Sequence, residues 1–496
     1  MKKIIFSLAC MGLMTLTACD DYLDINDSPN AISSVENDYI LPTPEVNIAA
    51  TVGVQFNVLG GYNAQVYGQN AGCSNYLDYS RFLVTASNCQ GAWTQLYSRV
   101  LQQLEVIRSQ SAEEPGTYLA ATVLRAYAFQ LIVDAWGEAP FTEALNPNIT
   151  QPVYDDGAAI YASIISELEA AKAAAQPGDA VCANLLFGKT SAKAGTAANW
   201  IKFANTLLLK LYMREHNAVS VNDKLNALVS EGNFITEDVT YDLCWGNSAG
   251  SYSPLFAESK TISNDMALNV ALQGTALSSP GDQRLSYNFK PTANGFIGVV
   301  SGTNLSAEIS GANTSDFSQP NYRFDMPVNL LTVFELDFFL AEYYATVAGN
   351  HAQAEAYYRA AVAASCALCG VEDASNAVLA AYPYEQANPM KNIGIQKWVA
   401  LGTAFSGFEA WCEVRRLGYP EFSDVKADDI INNDVANFNS VPNTYVAGTL
   451  YTPKNVIAEV GAKTLRQRLP YPASSTSYNN NVPATKGATV KVFWAK

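Results

Sequence analysis

The feature that most constrains the fold of this chain is the recurrence of apolar and small residues at three-to-four spacing over long segments. One such segment runs from Glu335 to Val347. Gly349 and Asn350 then interrupt the pattern, and Ala352–Ala364 resumes it with many alanines. This spacing places apolar side chains on one face of a helix, and glycine next to asparagine favours a helix end. The sequence therefore predicts a helix hairpin with small residues at the contact between its helices.

The same spacing predicts helices at Trp93–Ser109, Tyr118–Ala135, Ala158–Ala174, Asn199–Glu215 and Ile393–Leu417. Asp155 or Asp156 precedes the third of these and suits its N-cap.

The segment Ile393–Leu417 is predicted to be one continuous helix that ends at Gly418-Tyr419-Pro420, because proline cannot continue a helix. We expect Trp398 and Trp411 in the core.

The hairpin pattern resembles one tetratricopeptide unit, although no repeat of fixed period is visible. The predicted fold class is mostly α, with tetratricopeptide-like helix hairpins forming a scaffold and few short strands. One side of the predicted helix Ile393–Leu417 carries a stripe formed by Leu401, Phe405, Phe408, Trp411 or Cys412, and Arg415.

The middle of the chain, from Thr240 to Met326, changes character. It is rich in Gly, Ser, Asn and Pro with scattered aromatic residues, and helical spacing disappears. Such composition predicts short strands and long loops, and ordered loops on a helical scaffold are where binding residues usually lie. We therefore interpret about 240–326 as a loop-rich, irregular insert. The tail Ser474–Ala488, dense in Asn and Ser, is predicted to be a further exposed loop.

The N-terminus predicts export and lipid attachment. Lys2 and Lys3 precede an uncharged stretch, Ile4–Ala18, which is too short to span a ~30 Å hydrocarbon core as a helix. The stretch closes with the residues at 16–19, Leu-Thr-Ala-Cys, in which small residues precede a cysteine whose thiol can carry a diacylglycerol. We interpret 1–19 as a lipoprotein signal peptide with Cys19 as the lipid attachment site and 20–496 as a single domain. An ordinary secretory signal, in which Cys19 is incidental, is the alternative.

Charge and cysteine content exclude some function classes. The formal net charge of −16 argues against a nucleic-acid or anionic-membrane partner, because both require a basic surface. The cysteines downstream of Cys19 form an odd, scattered set, which is not a disulfide framework. They are interpreted as buried free thiols with at most one bridge.

Two motifs with catalytic or redox spacing fail in their sequence context. Gly246-Asn-Ser-Ala-Gly250 matches a nucleophile elbow, but loop residues follow it where a helix is required, so we interpret it as a glycine-rich turn. His216 and His351, the only histidines, would have to supply its base. Cys366-Ala-Leu-Cys369 has dithiol spacing, but it lies at a helix end and not at the helix N-terminus that lowers a thiol pKa.

Acidic motifs likewise do not predict a site. The run from Asp24 begins like a calcium loop, but Pro29 and Val35 stand where glycine and a bidentate glutamate are required. The adjacent pairs Asp155-Asp156 and Asp428-Asp429 do not show the separation across a cleft that glycosidase carboxylates need. We therefore predict no metal, no cofactor and no catalytic residue.

Several separated segments together resemble the SusD/RagB family of outer-membrane lipoproteins, and the later ones resemble its second subgroup. They occur in the expected order along nearly the whole chain. The chain departs from the family pattern at Gly402–Phe405, where members carry bulkier residues. The segments are Cys19–Asn30, Asp134–Ala144, Asn199–Asn205, Ile395–Leu401, Glu409–Trp411, Arg415–Pro420 and Arg468–Pro472.

This resemblance implies a non-enzymatic function. It implies a lipid-anchored protein of the cell outer membrane, facing the exterior, that captures oligosaccharides and acts as the lid of a TonB-dependent (SusC-like) transporter. Some members capture peptides, so an oligopeptide ligand is the first alternative. A secreted hydrolase on a helical scaffold is the second.

The candidate ligand contacts combine aromatic rings with polar neighbours. A sugar ring offers an apolar C–H face and a polar edge, so its site needs aromatic platforms beside hydrogen-bonding side chains. Residues 67–81 interleave these types, and the family resemblance places ligand sites in this loop and in the central insert. For each aromatic residue the alternative is a packing role. The candidates are Tyr76, Tyr79, Arg81, Trp93, Tyr287 and Tyr322.

Overall fold

The computed structural model describes residues 35–188, 193–262, 264–484 and 486–496. The signal peptide, Cys19 and nearly all of the Asp24 loop lie outside the described residues. The α-helices are α1 Asn37–Ile40, α2 Pro42–Ala50, α3 Asn57–Asn63, α4 Leu77–Ser80, α5 Ala86–Thr94, α6 Gln102–Gln110, α7 Pro115–Trp136, α8 Gly157–Ala174, α9 Ala198–Glu215, α10 Asn222–Glu231, α11 Pro254–Ser259, α12 Val270–Leu277, α13 Leu285–Asn288, α14 Val333–Thr346, α15 His351–Leu368, α16 Ser375–Ala381, α17 Pro389–Thr403, α18 Gly407–Leu417, α19 Ala427–Ile430 and α20 Ala473–Tyr478.

Short strands and other helical turns connect these helices. The strands pair two by two: β1 with β5, β2 with β3 and β4 with β6 run antiparallel, and β7 with β8 runs parallel. The prediction of a mostly α fold with few short strands is confirmed. The strands are β1 Tyr67–Gln69, β2 Ala180–Asn184, β3 Lys193–Thr196, β4 Val239–Tyr241, β5 Met266–Leu268, β6 Val328–Leu331, β7 Glu421–Lys426 and β8 Thr449–Thr452. The π-helical segments are Thr51–Phe56, Gln95–Leu101 and Ile431–Val435, and the 3-10 segments are Leu305–Ala307, Thr314–Asp316 and Glu372–Ala374.

The predicted helix hairpin is present as α14 and α15. The Thr332 side chain accepts from the Glu335 amide, and the Glu335 side chain bonds back to Thr332, so a capping box starts α14. Asn350 caps α15 through its side chain. The rings of Tyr344 and Tyr357 stack across the hairpin at 5.4 Å with a 6° interplanar angle. Local capping and small-residue spacing thus specify this hairpin from sequence.

The predicted helices other than Ile393–Leu417 also form, with small differences in their ends. The predicted Trp93–Ser109 helix is the later part of a continuous helical stretch from α5 through α6. Asp156 caps α8 by accepting from the Ala158 amide at 2.9 Å. Asp155 instead accepts from the Phe141 and Thr142 amides, both at 2.9 Å, and so holds the loop that precedes α8.

The prediction of one continuous helix over Ile393–Leu417 is wrong. The chain forms α17 and α18, separated at Ala404–Ser406, where Phe405 has a φ of 54°. The break lets α18 begin against α3 at near backbone contact: a Cβ on Gly407 would lie 2.3 Å from the Asn57 carbonyl oxygen. A long-range contact therefore ends a helix that the local pattern favours. Trp398 and Trp411 are fully buried, as predicted.

A buried network of charges joins the helices at the centre of the scaffold. Arg416 pairs with Glu342 and Glu413, each at 2.6 Å, and Lys397 lies 2.9 Å from Glu413. Lys210 lies 2.9 Å from Glu409. Buried cations and carboxylates are equal in number in this network, so its charges balance overall where water is excluded. Its members are Lys210, Arg214, Lys397, Arg415 and Arg416, with Asp134, Glu335, Glu342, Glu409 and Glu413.

The central segment 240–326 contains short strands and long loops as predicted, and it also contains helices α11, α12 and α13. α12 is buried along almost its whole length, so this part of the segment belongs to the core. The predicted loop of the tail begins with a short helix, α20. Among the described residues, one helix, α7, is long and apolar enough to cross a membrane, and 94% of its most apolar stretch is buried inside the protein.

Candidate functional site

A stack of tyrosine rings runs from the core to the surface beside the loop that follows β1. Tyr62 is fully buried, and its ring centroid lies 5.5 Å from that of Tyr76 and 6.3 Å from that of Tyr79. Tyr76 and Tyr79 stack on one another at 5.7 Å with a 22° interplanar angle, and both are half-buried. Two predicted ligand residues thus form one aromatic surface on a rigid base.

The loop that carries these rings is fixed by a buried carboxylate of the central segment. Asp265 accepts from the backbone and side-chain amides of Asn75, both at 2.9 Å, and from the Gln69 side chain at 3.2 Å. Gln69 in turn accepts from the Tyr76 amide at 2.8 Å. Because β1 pairs with β5 next to Asp265, the sheet and the carboxylate hold Tyr76 in place together.

Tyr322 and Glu258, both from the central segment, complete the cluster. The Tyr76 hydroxyl lies 3.5 Å from Glu258, at the limit of a hydrogen bond. Burial, and then the nearby Glu258 and Tyr322, raises the pKa of Tyr76. Burial likewise raises the pKa of Tyr322, and it raises that of Tyr79 to about 12. These hydroxyls therefore stay protonated at neutral pH and can both donate and accept hydrogen bonds. We define the tyrosine cluster as Tyr76, Tyr79, Tyr322 and Glu258.

Arg81 and Tyr287 support the edges of this region. The Arg81 Nε donates to the Gly302 carbonyl at 3.1 Å, which ties the predicted loop to the central segment. The Tyr287 ring lies under the Arg323 guanidinium at 4.9 Å, and Arg323 also donates to the Tyr287 carbonyl at 3.0 Å. Arg323 is the neighbour of Tyr322 in the chain, so this pair fixes the backbone beside the cluster.

Trp93 contacts a different set of rings. It is 8% exposed, and its ring packs edge-on against Trp136 at 5.0 Å and nearly parallel to Tyr154 at 6.1 Å. It lines a separate groove beside Pro140 and Tyr478. The structure therefore brings Tyr76, Tyr79 and Tyr322 together and places Trp93 in another concavity.

Sequence reasoning missed Asp265, Glu258 and Tyr62. Asp265 acts on residues about 190 positions earlier in the chain, and no local motif marks such a contact. The one available signal was the interleaving of Gln69 and Asn75 with tyrosines, which indicated an ordered polar loop but not its partner.

The enzyme-like motifs lie in an exposed turn and at the C-terminal end of α15. The Ser248 hydroxyl lies 2.8 Å from that of Ser251, in an exposed turn closed by Gly250 at a φ of 90°. Burial raises the pKa of Cys366 to about 11 and that of Cys369 to about 12, so these thiols stay protonated. Cys89, Cys366, Cys369 and Cys412 are buried free thiols as predicted, whereas Cys73 and Cys182 are free thiols that are only partly buried. No group of three or more His, Cys, Asp and Glu in the described part of the chain is arranged to hold a metal ion.

The structure thus defines a helical protein whose surface carries a tyrosine cluster, held by the loop after β1 and by the central insert. The family model SusD-like_2, described as "Starch-binding associating with outer membrane", matches residues 29–438. The chain therefore belongs to this SusD-like family. Members of the family are binding proteins associated with the outer membrane, and membership supports glycan binding for nutrient uptake.

Solved structures share the fold at low sequence identity. A SusD homologue from Bacteroides uniformis is similar at 19% identity and a TM-score of 0.72, covering 91% of this chain and 99% of that one. A SusD/RagB family protein from Bacteroides thetaiotaomicron is similar at 21% identity and 0.68, covering 91% and 96%. A chitin-binding SusD homologue from Flavobacterium johnsoniae is similar at 17% identity and 0.68, covering 91% and 97%. The comparison with curated proteins gives no significant match.

Proposed function

We propose that this protein is a surface-exposed outer-membrane lipoprotein that binds oligosaccharide or polysaccharide nutrients. It delivers them to a partner TonB-dependent (SusC-like) transporter and serves as the transporter's lid. The observation that carries this proposal is the tyrosine cluster, a rigid aromatic surface with protonated hydroxyls and one carboxylate, in a member of a family described by starch binding.

The chemistry of the cluster suits a sugar. The stacked faces of Tyr76 and Tyr79 match the apolar C–H face of a pyranose ring. The Tyr322 hydroxyl and the Glu258 carboxylate are hydrogen-bonding partners for the ring hydroxyls. Arg81 and Tyr287 act as positioning residues for the two segments, and Trp93 is outside this site.

The same cluster offers little support for hydrolysis. Both Asp265 oxygens accept hydrogen bonds from Asn75, so this carboxylate is committed to holding the loop. Glycoside hydrolysis requires two carboxyl groups that share the acid and base roles, and the described carboxyl groups that act on Tyr322 are Glu258 and this committed Asp265. Binding without turnover is therefore the function that we propose.

The anchoring follows from the N-terminal sequence. We propose that residues 1–19 are removed as a signal, that Cys19 carries the lipid, and that 20–496 is a single domain with the insert 240–326. The adjacent Asp20 and Asp21 resemble the signal that directs such lipoproteins to the exterior face of the outer membrane.

Removing the aromatic surface is expected to weaken glycan binding. In Tyr76→Ala combined with Tyr79→Ala, affinity for the bound glycan should fall at least tenfold, which corresponds to about 1.4 kcal/mol. Isothermal titration of purified protein with maltoheptaose, chitohexaose and a peptide pool measures this and also identifies the ligand class. Tyr39→Ala is the matched control, because Tyr39 is 74% exposed and outside the cluster. Unchanged affinity together with unchanged stoichiometry in the double variant would contradict the site. Binding of peptides alone would favour the oligopeptide alternative, and release of sugar would favour a hydrolase.

Replacing Asp20 and Asp21 with alanine is expected to leave lipidation intact and to reduce cleavage by protease added to whole cells. The physical reason is that the lipid bond forms at Cys19, whereas the acidic residues are proposed to direct transfer to the outer face. Labelling with a radioactive fatty acid and protease shaving measure the two effects separately. Equal cleavage of variant and wild type by the added protease would contradict the proposed role of Asp20 and Asp21. It would not affect the proposal that Cys19 carries the lipid.

A further inference from the structure

A second groove, separate from the tyrosine cluster, lies between the loop before α8 and the C-terminal tail. Its volume is about 490 Å³, within the ~300–1,000 Å³ range of small-molecule pockets. One wall is the helical stretch with Trp93, Tyr97 and Ser98, and the opposite walls are 140–154 and 474–479. We call this concavity the Trp93 groove.

Hydrogen bonds join the walls of the Trp93 groove to each other. The Asn479 side chain donates to the Pro152 carbonyl at 2.8 Å, and the Asn481 side chain donates to the Gln151 carbonyl at 2.7 Å. The Ser474 amide donates to the Gln90 side chain at 3.1 Å, which joins the tail to α5. Segments more than 300 residues apart in the chain therefore form one preorganised groove.

The residues that line the Trp93 groove carry no formal charge, although the chain has a formal net charge of −16. Another concavity differs in character: a groove of about 750 Å³ is lined by Glu36, Asp38, Glu113, Glu114 and Asp179, and no described aromatic residue lines it. An uncharged site favours a neutral ligand, because a buried ionic group without a counter-charge is costly to desolvate.

Aromatic rings form the floor and one edge of the groove. Trp93 and Tyr154 are nearly parallel, with an interplanar angle of 16°, and the Tyr97 hydroxyl donates to the Pro140 carbonyl at 2.8 Å. Tyr478, at the edge, is 79% exposed. The remaining surface is shared between apolar residues, namely Pro140, Ala144, Leu145, Pro147, Ile149 and Pro152, and amide or hydroxyl side chains, namely Ser98, Gln102, Asn146, Thr150, Ser474, Ser475 and Asn479. Rings beside neutral groups that both donate and accept are the surface that a sugar chain requires.

We propose that the Trp93 groove is a second binding site for a neutral sugar chain, distinct from the tyrosine cluster. The inference rests on the proposed function, because it assumes a glycan ligand. A peptide is the less favoured occupant. One way in which an extended peptide binds is to add its backbone to a sheet edge, and this groove offers no such edge because its described walls are helical segments and loops. Two sites on one rigid chain would also hold a polymer more tightly than a short oligosaccharide.

Placing a charge in the groove tests the proposal without disturbing the core. Ser98 is exposed in the groove, and its hydroxyl donates only to the Thr94 carbonyl of its own helical stretch. Ser98→Lys should therefore fold normally and obstruct a neutral ligand. Ser109→Lys is the matched control: Ser109 is also exposed, donates to the nearby Val106 carbonyl, and does not line the groove. Tyr478→Ala is an independent variant that removes the exposed ring.

The experiment compares titrations with maltoheptaose and chitohexaose for wild type, Ser98→Lys, Tyr478→Ala, Ser109→Lys and the Tyr76→Ala, Tyr79→Ala double variant. We expect two oligosaccharide molecules per wild-type chain, one after Ser98→Lys, one after the double variant, and two after the control. Tyr478→Ala should weaken the second site at least tenfold.

Several outcomes separate the two proposals. If the double variant loses all binding while Ser98→Lys and Tyr478→Ala match wild type, the second site is overturned and the proposed function stands. If wild type binds neither these nor other glycans, both proposals fall. If the groove variants change only peptide binding, the proposed ligand class of the groove is wrong.

Discussion

Replacing Glu413 with glutamine is expected to lower the free energy of unfolding by about 3–5 kcal/mol, the cost of breaking a buried ion pair by removing one partner. Glu413 is 1% exposed, and its carboxylate lies 2.6 Å from Arg416, 2.9 Å from Lys397 and 3.4 Å from Arg214. Glutamine has nearly the same shape but no charge. The variant therefore leaves these buried cations undercompensated without creating a cavity, and chemical denaturation monitored by circular dichroism measures the loss.

The same variant should flatten the acid dependence of stability. Burial raises the pKa of Glu413, but Arg416, Lys397 and Arg214 outweigh burial and hold it well below the ordinary value of 4.5. As pH falls below about 4.5, the unfolded chain takes up a proton that the folded chain refuses, so wild type loses stability. Glu413→Gln lacks this contribution. Its slope below pH 4.5 should be shallower by up to about 1.4 kcal/mol per pH unit.

Glu169→Gln is the matched control for this experiment. Glu169 also pairs with a lysine, Lys224, at 2.8 Å, but both side chains are substantially exposed. An exposed pair is worth about 0–1 kcal/mol, because water solvates each ion and salt screens the attraction. If both variants lost similar stability, the buried network would not be the main electrostatic support of the scaffold.

Replacing Gly407 with alanine is expected to lower the free energy of unfolding by about 1–3 kcal/mol, the cost of overpacking a filled core. The new Cβ would lie 2.3 Å from the Asn57 carbonyl oxygen and 2.7 Å from the Gly61 nitrogen. These neighbours are backbone atoms of α3 and cannot rotate away as a side chain would. The helices α3 and α18 must therefore separate, and the hydrogen bond from the Gly407 amide to the Asn57 side chain, 3.0 Å long, is expected to be lost.

Gly178→Ala is the control for a general effect of losing glycine. A Cβ at Gly178 would meet no atom within 4 Å, and its φ is not in the left-handed region. Its unfolding free energy should change by less than about 1 kcal/mol, because alanine mainly reduces the freedom of the unfolded chain. Equal melting temperatures for Gly407→Ala and wild type would show that the helices adjust at no cost, and the close approach would then be unimportant.

The helices that were predicted correctly are those whose local signals agree with their packing. Asp156 caps α8 from the position that the sequence indicated, and the capping box at Thr332 starts the predicted hairpin. The break at Phe405 could not be predicted in this way. Its cause is the contact of Gly407 with Asn57, a residue 350 positions away, and a local pattern contains no information about that partner.

The candidate site likewise has features that depend on local sequence and features that depend on long-range contacts. Residue types and loop position led to the prediction of Tyr76 and Tyr79 as ligand contacts, and the structure stacks these two rings in one loop. The sequence also selected Trp93, the nearest following tryptophan. The helix that carries it directs its ring toward Trp136 and Tyr154, so it belongs to another groove. Which aromatic residues share a surface is decided by helix orientation, and spacing along the chain does not give that.

The sequence by itself determined the helical class, the caps, the family resemblance and the aromatic composition of the loop after β1, because these depend on neighbouring residues and on ordered motifs. The tertiary structure alone decided the split between α17 and α18, the balance of buried charges and the role of Asp265. Each of these depends on distances between residues that are remote in the chain. Such distances are set when helices pack and water is excluded, so they are properties of the folded chain.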